Sequence, residues 1–195
     1  MLRFVYRLAL LVAVLLLRPT TVLAGFSDRM AAFRAGDYSR AYNEWQPLAE
    51  LGHVKAQTNL GLLYSRGLGV TRDPVEAVSW YTRAAEREFS LAQYNLGVMY
   101  SRGLGVERDE NMAWLWYLRA AEQGHTRAQF IVGQRHAEGI GVRRDDELVR
   151  MWLSRAADRA KGKLRTKILG YQRDIEPRMS EDADLRDAPS QRRAS

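Results

Sequence analysis

The chain has 195 residues, of which 46% are apolar and 27% are charged, and it contains no cysteine. This is the composition of a folded globular protein, and the lack of cysteine excludes disulfide frameworks, thiolate metal sites and cysteine nucleophiles. The formal net charge of +7 is typical of a nucleic-acid-binding protein. However, residues 25–158 carry equal numbers of acidic and basic side chains, so the surplus lies at the two ends of the chain. We therefore expect no nucleic-acid partner.

The first 24 residues have the layout of a bacterial secretory signal peptide. A short basic start is followed by ten apolar residues from Leu8 to Leu17, and the segment ends on Val22-Leu23-Ala24, which fits a cleavage site. A helix of that apolar length covers about 15 Å, whereas the hydrocarbon core of a membrane is about 30 Å thick. We expect cleavage after Ala24 and a periplasmic mature chain. The alternative is an uncut signal that acts as a membrane anchor.

A repeat with a period of 36 residues runs through the middle of the chain. It is dense and contains no gaps, so it defines three units. The repeating residues include Ala56, Ala92 and Ala128; Gln57, Gln93 and Gln129; Gly61, Gly97 and Gly133; Gly67, Gly103 and Gly139; Gly69, Gly105 and Gly141; Asp73, Asp109 and Asp145; and Trp80, Trp116 and Trp152.

Each unit is predicted to fold as two helices, called here helix A and helix B, because its apolar residues recur at helical spacing in two separate sets. Gly61 and its equivalents lie in the middle of helix A, where glycine is unfavourable, so we expect helix B to approach too closely there for a Cβ. The Gly-x-Gly sequence ends helix A in a turn. Asp73 then caps helix B, and Glu76 is placed to complete a capping box.

The repeated pattern resembles the Sel1-like repeat family, which is related to the tetratricopeptide repeats. The resemblance covers about residues 38–158 and is weaker in the third unit, where His136 replaces the tyrosine of the other units and Val149 replaces an alanine. The resemblance implies an all-α protein, an α-solenoid in which antiparallel helix pairs stack into a superhelix. It also implies a module that binds proteins.

The pattern divides the rest of the chain as well. Residues 25–53 are interpreted as a degenerate N-terminal repeat or cap whose helix A runs from Phe26 to Ala35, and residues 54–158 as the three complete repeats. An apolar stripe that includes Leu164 and Ile168 predicts a C-terminal capping helix over residues 159–176. Residues 177–195 are polar and charged, which predicts a disordered tail.

No catalytic, metal-binding or cofactor-binding motif is found in the sequence, so we expect a protein that is not an enzyme and has no cofactor. Two of the three histidines, His53 and His125, share a loop position at which the middle unit has Phe89. The alternative is a cell-wall or β-lactam-acting enzyme, since some Sel1-like proteins are described as binding β-lactams. The Ser-x-x-Lys and Lys-Thr-Gly elements that such chemistry normally requires are not present in the sequence.

By resemblance to the tetratricopeptide arrangement, helix A lines a concave groove that binds a peptide or protein. The residues at the groove positions differ between units, whereas the residues at the packing positions repeat. Selection for binding specificity would produce this pattern, and neutral drift of surface residues would produce it as well. We expect a protein-interaction, scaffold or regulatory module with Tyr94 and Phe130 as aromatic anchors. The candidate groove residues are Lys55, Thr58, Leu62, Arg66, Leu91, Tyr94, Val98, Arg102, Arg127, Phe130 and Gln134.

Two sets of charges lie outside this groove. Arg83 and its equivalents Arg119 and Arg155 precede an acidic residue by three positions, which predicts a solvated helix surface with paired charges. The run from Arg159 to Lys167 contains five basic residues and no acid. We expect it to form the outer face of the capping helix, where weak contact with an anionic membrane or a cell-wall polymer is the alternative role.

The signal peptide gives the first testable prediction. We expect the mature protein to begin at Gly25 and to be recovered from the soluble periplasmic fraction, because the apolar stretch is too short to span and is followed by a cleavage site. Amino-terminal sequencing of the protein after cell fractionation checks this. Recovery of a chain that begins at Met1 from the membrane pellet would contradict it.

Overall fold

The computed structural model describes the backbone of residues 26–187 and the side chains of residues 30–180. The expected signal peptide and the last eight residues lie outside the described part. Within that part the regular structure is helical, which confirms the all-α prediction. The helices are α1 (Phe26–Arg34), α2 (Tyr38–Glu50), α3 (Val54–Arg66), α4 (Pro74–Ala85), α5 (Ser90–Arg102), α6 (Glu110–Glu122), α7 (Thr126–Glu138), α8 (Asp146–Arg159) and α9 (Gly162–Asp187).

The helices pack in chain order, each against the next, as the solenoid prediction requires. The complete units are the hairpins α3/α4, α5/α6 and α7/α8, in which the first helix is helix A and the second is helix B. The α1/α2 pair precedes them, and α1 is described from Phe26, the first residue that the structure describes. The result is a linear array of helix pairs, so each unit contacts only its neighbours.

The mid-helix glycines lie where the two helices of a hairpin approach most closely. A Cβ at Gly61 would lie 2.6 Å from the ring of Tyr81, and one at Gly97 would lie 2.7 Å from the ring of Tyr117. In the third unit a Cβ at Gly133 would lie 2.9 Å from the side chain of Leu153. These distances are shorter than van der Waals contact, so the repeated glycine is needed for helix B to pack against helix A, as expected.

The buried glutamines join each unit to the one before it. The Nε2 atom of Gln57 donates to the carbonyl of Ala49 at 3.0 Å, that of Gln93 to Ala85 at 3.2 Å, and that of Gln129 to Ala121 at 3.1 Å. Each bond fixes helix A against a carbonyl at the end of the preceding helix B, where backbone acceptors lack helical partners. The glutamine therefore repeats because it is part of the inter-unit interface.

The two glycines of the hairpin turn have different roles. Gly103 ends α5 in the left-handed conformation, with a φ of 64°. A Cβ at Gly103 would lie 3.2 Å from the Cβ of Arg108, which belongs to the same turn. Gly105 also has a positive φ of 69°, but a Cβ there would overlap the carbonyl group of Pro74 in the preceding unit. Gly69 and Gly141 lie in the same way against the backbone at the start of α2 and α6. The second glycine is therefore an inter-unit contact as well as a turn residue.

The aspartate caps form as predicted, but the capping box does not. The carboxylate of Asp73 accepts hydrogen bonds from the backbone N–H groups of Val75 and Glu76, both at 3.0 Å. The N–H of Asp73 itself donates to the carbonyl of Tyr64 at 2.9 Å rather than to Glu76, and Asp109 bonds the carbonyl of Tyr100 in the same manner at 3.1 Å. A backbone carbonyl of helix A thus accepts the hydrogen bond that the side chain of Glu76 was expected to accept in the capping box.

The arginines of the helix B ladder do not pair with the acidic residues that follow them in the described part of the chain. The guanidinium groups of Arg83, Arg119 and Arg155 lie over the rings of Trp80, Trp116 and Trp152, at 4.5, 4.6 and 5.1 Å from the ring centroids. Cation–π contact of this kind is worth about 0.5–1 kcal/mol at exposed sites. The expected solvated surface therefore consists of arginines that shield the buried tryptophans.

The C-terminal helix takes the place of helix A in an incomplete fourth unit. It begins at Gly162, one period after Thr126, and Ile168 is fully buried at the position held by Leu60, Leu96 and Val132. The position equivalent to the mid-helix glycines is occupied by Leu169, which is 46% exposed. No helix B follows in the described residues, and the capping role of α9 stays a prediction.

The predicted end of this helix at residue 176 is wrong. The helix continues through Pro177 to Asp187, so residues 177–187 belong to α9, and residues 188–195 lie outside the described part. Proline in a helix interior removes one backbone hydrogen bond. Met179, which is only 1% exposed, packs in one cluster with Phe130 and Ile175, and this apolar contact lies beyond the proline. Composition alone did not reveal that Met179 has a partner.

The loop glycines give a matched pair of predictions. Both Gly103→Ala and Gly105→Ala place a side chain in a left-handed conformation, which costs about 1–2 kcal/mol. Only the second also overlaps the backbone at Pro74, so we expect Gly105→Ala to lower the free energy of unfolding by about 1–3 kcal/mol more. Urea denaturation of the two variants checks this. Equal losses would mean that the second glycine serves the turn conformation alone.

Candidate functional site

The candidate groove residues lie on helix A of the three complete units, α3, α5 and α7. All of them except Thr58 and Phe130 reach the surface at least in part. The exposed members are Lys55, Arg66, Leu91, Arg102 and Arg127, and the half-buried members are Leu62, Tyr94, Val98 and Gln134. Nine of the eleven candidates are therefore accessible on helix A, and their part in a binding groove stays a prediction.

Thr58 is not available for binding, in contrast to the prediction. Its side chain is 2% exposed, and its hydroxyl group donates to the carbonyl of Val54 at 2.8 Å. This is the ordinary local bond of a threonine inside a helix. Neighbouring residues cover the small side chain of Thr58, so it does not reach the surface.

Phe130 is likewise part of the core rather than a groove anchor. Its ring is 4% exposed, Tyr171 meets it edge-on with centroids 5.7 Å apart, and the amino group of Lys167 lies 5.5 Å from the ring centroid. Both neighbours belong to α9. The ring is buried because α9 packs over it, a contact between two parts of the chain that the repeat pattern does not predict.

Tyr94 occupies the same repeat position as Phe130 but remains half-buried. Its ring stacks on the imidazole of His125, with centroids 4.6 Å apart and planes inclined by 28°, and lies 5.9 Å from the ring of Tyr117. These contacts hold the ring in one orientation while part of it stays open to solvent. Of the two predicted aromatic anchors, Tyr94 alone has an accessible surface.

An open pocket of about 470 Å³ brings Tyr94 together with two other candidates, Leu91 and Arg127. It lies between the first turns of α5 and α7 and the turn that precedes α7, and Leu164 of α9 borders it. The remaining lining residues are Ser90, Asn95, Gln123, Gly124, His125 and Thr126. Sequence reasoning missed Leu164, because the 36-residue period places it at the position of Ala128, which is fully buried.

His125 forms one wall of this pocket and also caps α7. Its Nδ1 atom accepts a hydrogen bond from the backbone N–H of Ala128 at 3.3 Å, which requires an unprotonated nitrogen. Burial lowers the pKa of His125, and the positive charge of Arg127 lowers it further. His53 caps α3 in the same way, whereas Phe89 gives α5 no side-chain cap. The repeated histidine is therefore a capping residue.

His136 has a structural environment as well. It is buried at the position of Tyr64 and Tyr100, and its Nδ1–H donates to the carbonyl of Arg143 at 3.2 Å. A second open pocket of about 520 Å³ lies beside it at the third hairpin turn. The ring is thus packed between helix A and the turn that follows it.

Neither a metal cluster nor a membrane-spanning helix is found in the part of the chain that the structure describes. No group of three or more histidine, aspartate or glutamate side chains there is arranged to hold a metal ion. None of the described helices has an apolar stretch long enough to cross a bilayer. The pocket beside Tyr94 is lined by apolar, amide, hydroxyl, imidazole and guanidinium groups.

The fold and this helix A face define the class of the protein as an α-solenoid built from helical hairpins. The Sel1 repeat family model matches residues 54–89, 90–125 and 126–160, more than half of the chain, and the chain belongs to this family. The matched ranges begin where α3, α5 and α7 begin. Sel1-like repeat proteins are in general protein-interaction modules.

Two solved structures are similar to this one. The crystal structure of a Sel1 repeat protein from Oxalobacter formigenes has a TM-score of 0.67 and 33% identity, covering 72% of this chain and 58% of that one. The structure of c5321, a protective antigen of uropathogenic Escherichia coli with the SLR fold, has a TM-score of 0.61 and 40% identity, covering 64% and 27%. This chain therefore spans less than two thirds of either relative. A comparison with curated proteins finds no match.

The capping role of His125 predicts a dependence of stability on pH. Because the pKa of His125 is lower in the folded chain than in the unfolded chain, its contribution is present above the ordinary histidine value and is lost as the pH falls below it. His125→Phe, the residue used at position 89, should remove this dependence, while loss of the cap costs about 1 kcal/mol at pH 7.5.

Urea denaturation of both proteins between pH 7.5 and 5 measures the effect. We expect the wild-type chain to lose more stability over this range than the His125→Phe variant. Parallel curves would show that the pKa of His125 is the same in the folded and the unfolded chain.

Proposed function

We propose that this protein is an exported, non-catalytic interaction module that binds a segment of a partner protein across its helix A face. The observation that carries the proposal is the open pocket between the units, where Leu91, Tyr94 and Arg127 meet. A rigid aromatic ring beside apolar and charged groups is the usual composition of an interface centre. The coarser assignment, a repeat protein of a family of interaction modules, rests on the family match.

The contrast between repeated packing residues and variable exposed residues supports this function. Residues that join helices or units recur at each period, as with Gly61, Gly97 and Gly133. At the second position of helix A, in contrast, the three units have Lys55, Leu91 and Arg127, each of which is exposed. The scaffold is therefore constant while the exposed helix A surface varies, as expected of a solenoid that recognises a particular partner.

No observation favours the alternative of a cell-wall or β-lactam-acting enzyme. The described histidines are occupied with the backbone: two cap helices, and His136 bonds the turn that follows its helix. A catalytic base needs a nitrogen directed at a substrate position. We propose binding without chemistry for this reason.

We also propose that the binding takes place in the periplasm, with residues 1–24 removed as a signal peptide. Support comes from the order of basic, apolar and small residues in that segment. The basic run that starts at Arg159 is partly engaged: Arg159 donates to the carbonyl of Gly124 at 3.2 Å, and Lys167 lies over Phe130. Lys161, Lys163 and Arg165 remain exposed, and their contact with an anionic polymer stays a prediction.

Substitution of the two aromatic residues at the same repeat position tests the function. Phe130→Ala should lower the free energy of unfolding by about 3–5 kcal/mol, because the ring is enclosed by α9. Tyr94→Ala removes a half-exposed ring, so we expect a smaller loss of stability together with weaker partner binding.

A photo-crosslinking amino acid at position 91 reports on partner binding in cells. We expect crosslinked products from position 91 that decrease with Tyr94→Ala. The control is position 75, since Val75 is exposed on helix B away from the pocket. Crosslinks that form equally from both positions, or that are insensitive to Tyr94→Ala, would contradict binding at this face.

A further inference from the structure

Charges are distributed unevenly between the two kinds of helix. Helices α3 and α5 contain basic residues and no acidic residue, and α7 contains a single acid, Glu138, at its last position. The carboxylate of Glu138 accepts a hydrogen bond from the hydroxyl group of Tyr171 at 3.4 Å. Helices α4, α6 and α8 contain acids and bases together. The helix A face is therefore the positively charged side of the repeats.

Most arginines of the repeats contact another group of the same chain. Arg83, Arg119 and Arg155 lie over tryptophan rings. Others form ion pairs, as Arg108 does with Glu110 at 2.6 Å, or donate to a carbonyl of the preceding unit, as Arg87 does to Gly52. These groups need no external partner to account for their position.

Lys55 and Arg127 are different. Both are exposed, and neither forms an ion pair in the described part of the chain. Each occupies the second position of its helix, where the helix dipole disfavours a positive charge. In α9, Lys163 occupies the equivalent position and is also exposed. These cations do not serve local stability, so their recurrence at one edge of the array requires another explanation.

Arg127 lines the pocket described above, and Lys55 lies one unit away on α3. Leu91 is the residue of α5 at the same repeat position, between Lys55 on one side and Arg127 on the other, and the adjoining ring is Tyr94. No acidic side chain lines the pocket. An occupant that crosses the first turns of α3, α5 and α7 therefore meets a positive charge, then an apolar surface, then a positive charge.

We propose that the segment bound across the helix A face is an extended acidic peptide with a large apolar residue at its centre. This inference rests on the proposed function and identifies its partner by chemistry. The carboxylates that face Lys55 and Arg127 are therefore expected on either side of the apolar residue that enters the pocket.

The energetics of such a complex are divided between two parts. The apolar residue buries its surface against Leu91, Tyr94 and Leu164 and so provides most of the affinity. Exposed ion pairs contribute little each, but complementary charge speeds association and rejects basic segments. Binding should consequently weaken as the salt concentration rises.

The test selects peptides from a phage-displayed library of random 12-residue sequences, with the complete mature chain as the target. Selected peptides are then synthesised, and their affinities are measured by fluorescence anisotropy. The groove variant is Lys55→Glu with Arg127→Glu, and the control is Arg83→Glu with Arg119→Glu, which changes the net charge equally on helix B. The groove variant removes two unfavourable charge–dipole interactions, so its melting midpoint should not fall.

We expect selected peptides with a large apolar residue flanked by Asp or Glu, an affinity reduced about tenfold or more by the groove variant, and little change with the control. Neutral or basic selected peptides, or equal effects of both variants, would overturn the acidic-peptide inference. A third outcome would also overturn it: no peptide is selected, vesicles of phosphatidylglycerol bind the chain, and the groove variant weakens this binding. The occupant of the face would then be a membrane.

The outcomes separate this inference from the proposed function. Crosslinking from position 91 that depends on Tyr94 but not on Lys55 and Arg127 leaves the interaction face intact and removes only its acidic preference. If no peptide or vesicle binds and position 91 forms no crosslink, the proposed function itself fails together with the inference.

Discussion

The close approach of helix A and helix B at a single glycine sets the geometry of the whole array. At Gly61 and Gly97 the ring of a tyrosine from helix B occupies the space that a Cβ would need. Because this contact recurs in every complete unit, with Leu153 replacing the tyrosine in the third, the units have nearly the same internal geometry. Buried glutamines and the second loop glycine then place each unit on the one before it. The positions of the exposed helix A residues follow from these contacts.

The exposed helix A surface depends on this constant interior. Since the residues that hold the units together lie between the helices, the outer positions of helix A are free to differ without loss of the fold. Tyr94 and Phe130 show how the neighbouring helix decides the role of such a position: the first remains partly open beside His125, and the second is enclosed by Lys167 and Tyr171 of α9. An aromatic residue at this position is accessible only where the next helix leaves it uncovered.

Much of the fold could be predicted from the sequence because its determinants are local and repeated. The period located the hairpins, the mid-helix glycine indicated the close approach, and the aspartates marked the start of helix B. The burial of Phe130 and the role of Leu164 could not be predicted in this way, because both depend on how α9 packs against α7. The same holds for the extension of α9 beyond Pro177, where Met179 has a buried position that composition does not reveal. The capping box failed because the Asp73 N–H bonds a carbonyl of the preceding helix.

The residue at position 169 distinguishes α9 from helix A of the complete units. In those units this position is glycine, and the absence of a side chain lets the second helix of the hairpin approach. Leu169 projects a branched side chain from the equivalent place in α9 and is 46% exposed. A second helix therefore could not pack on α9 at this position as closely as helix B packs on helix A.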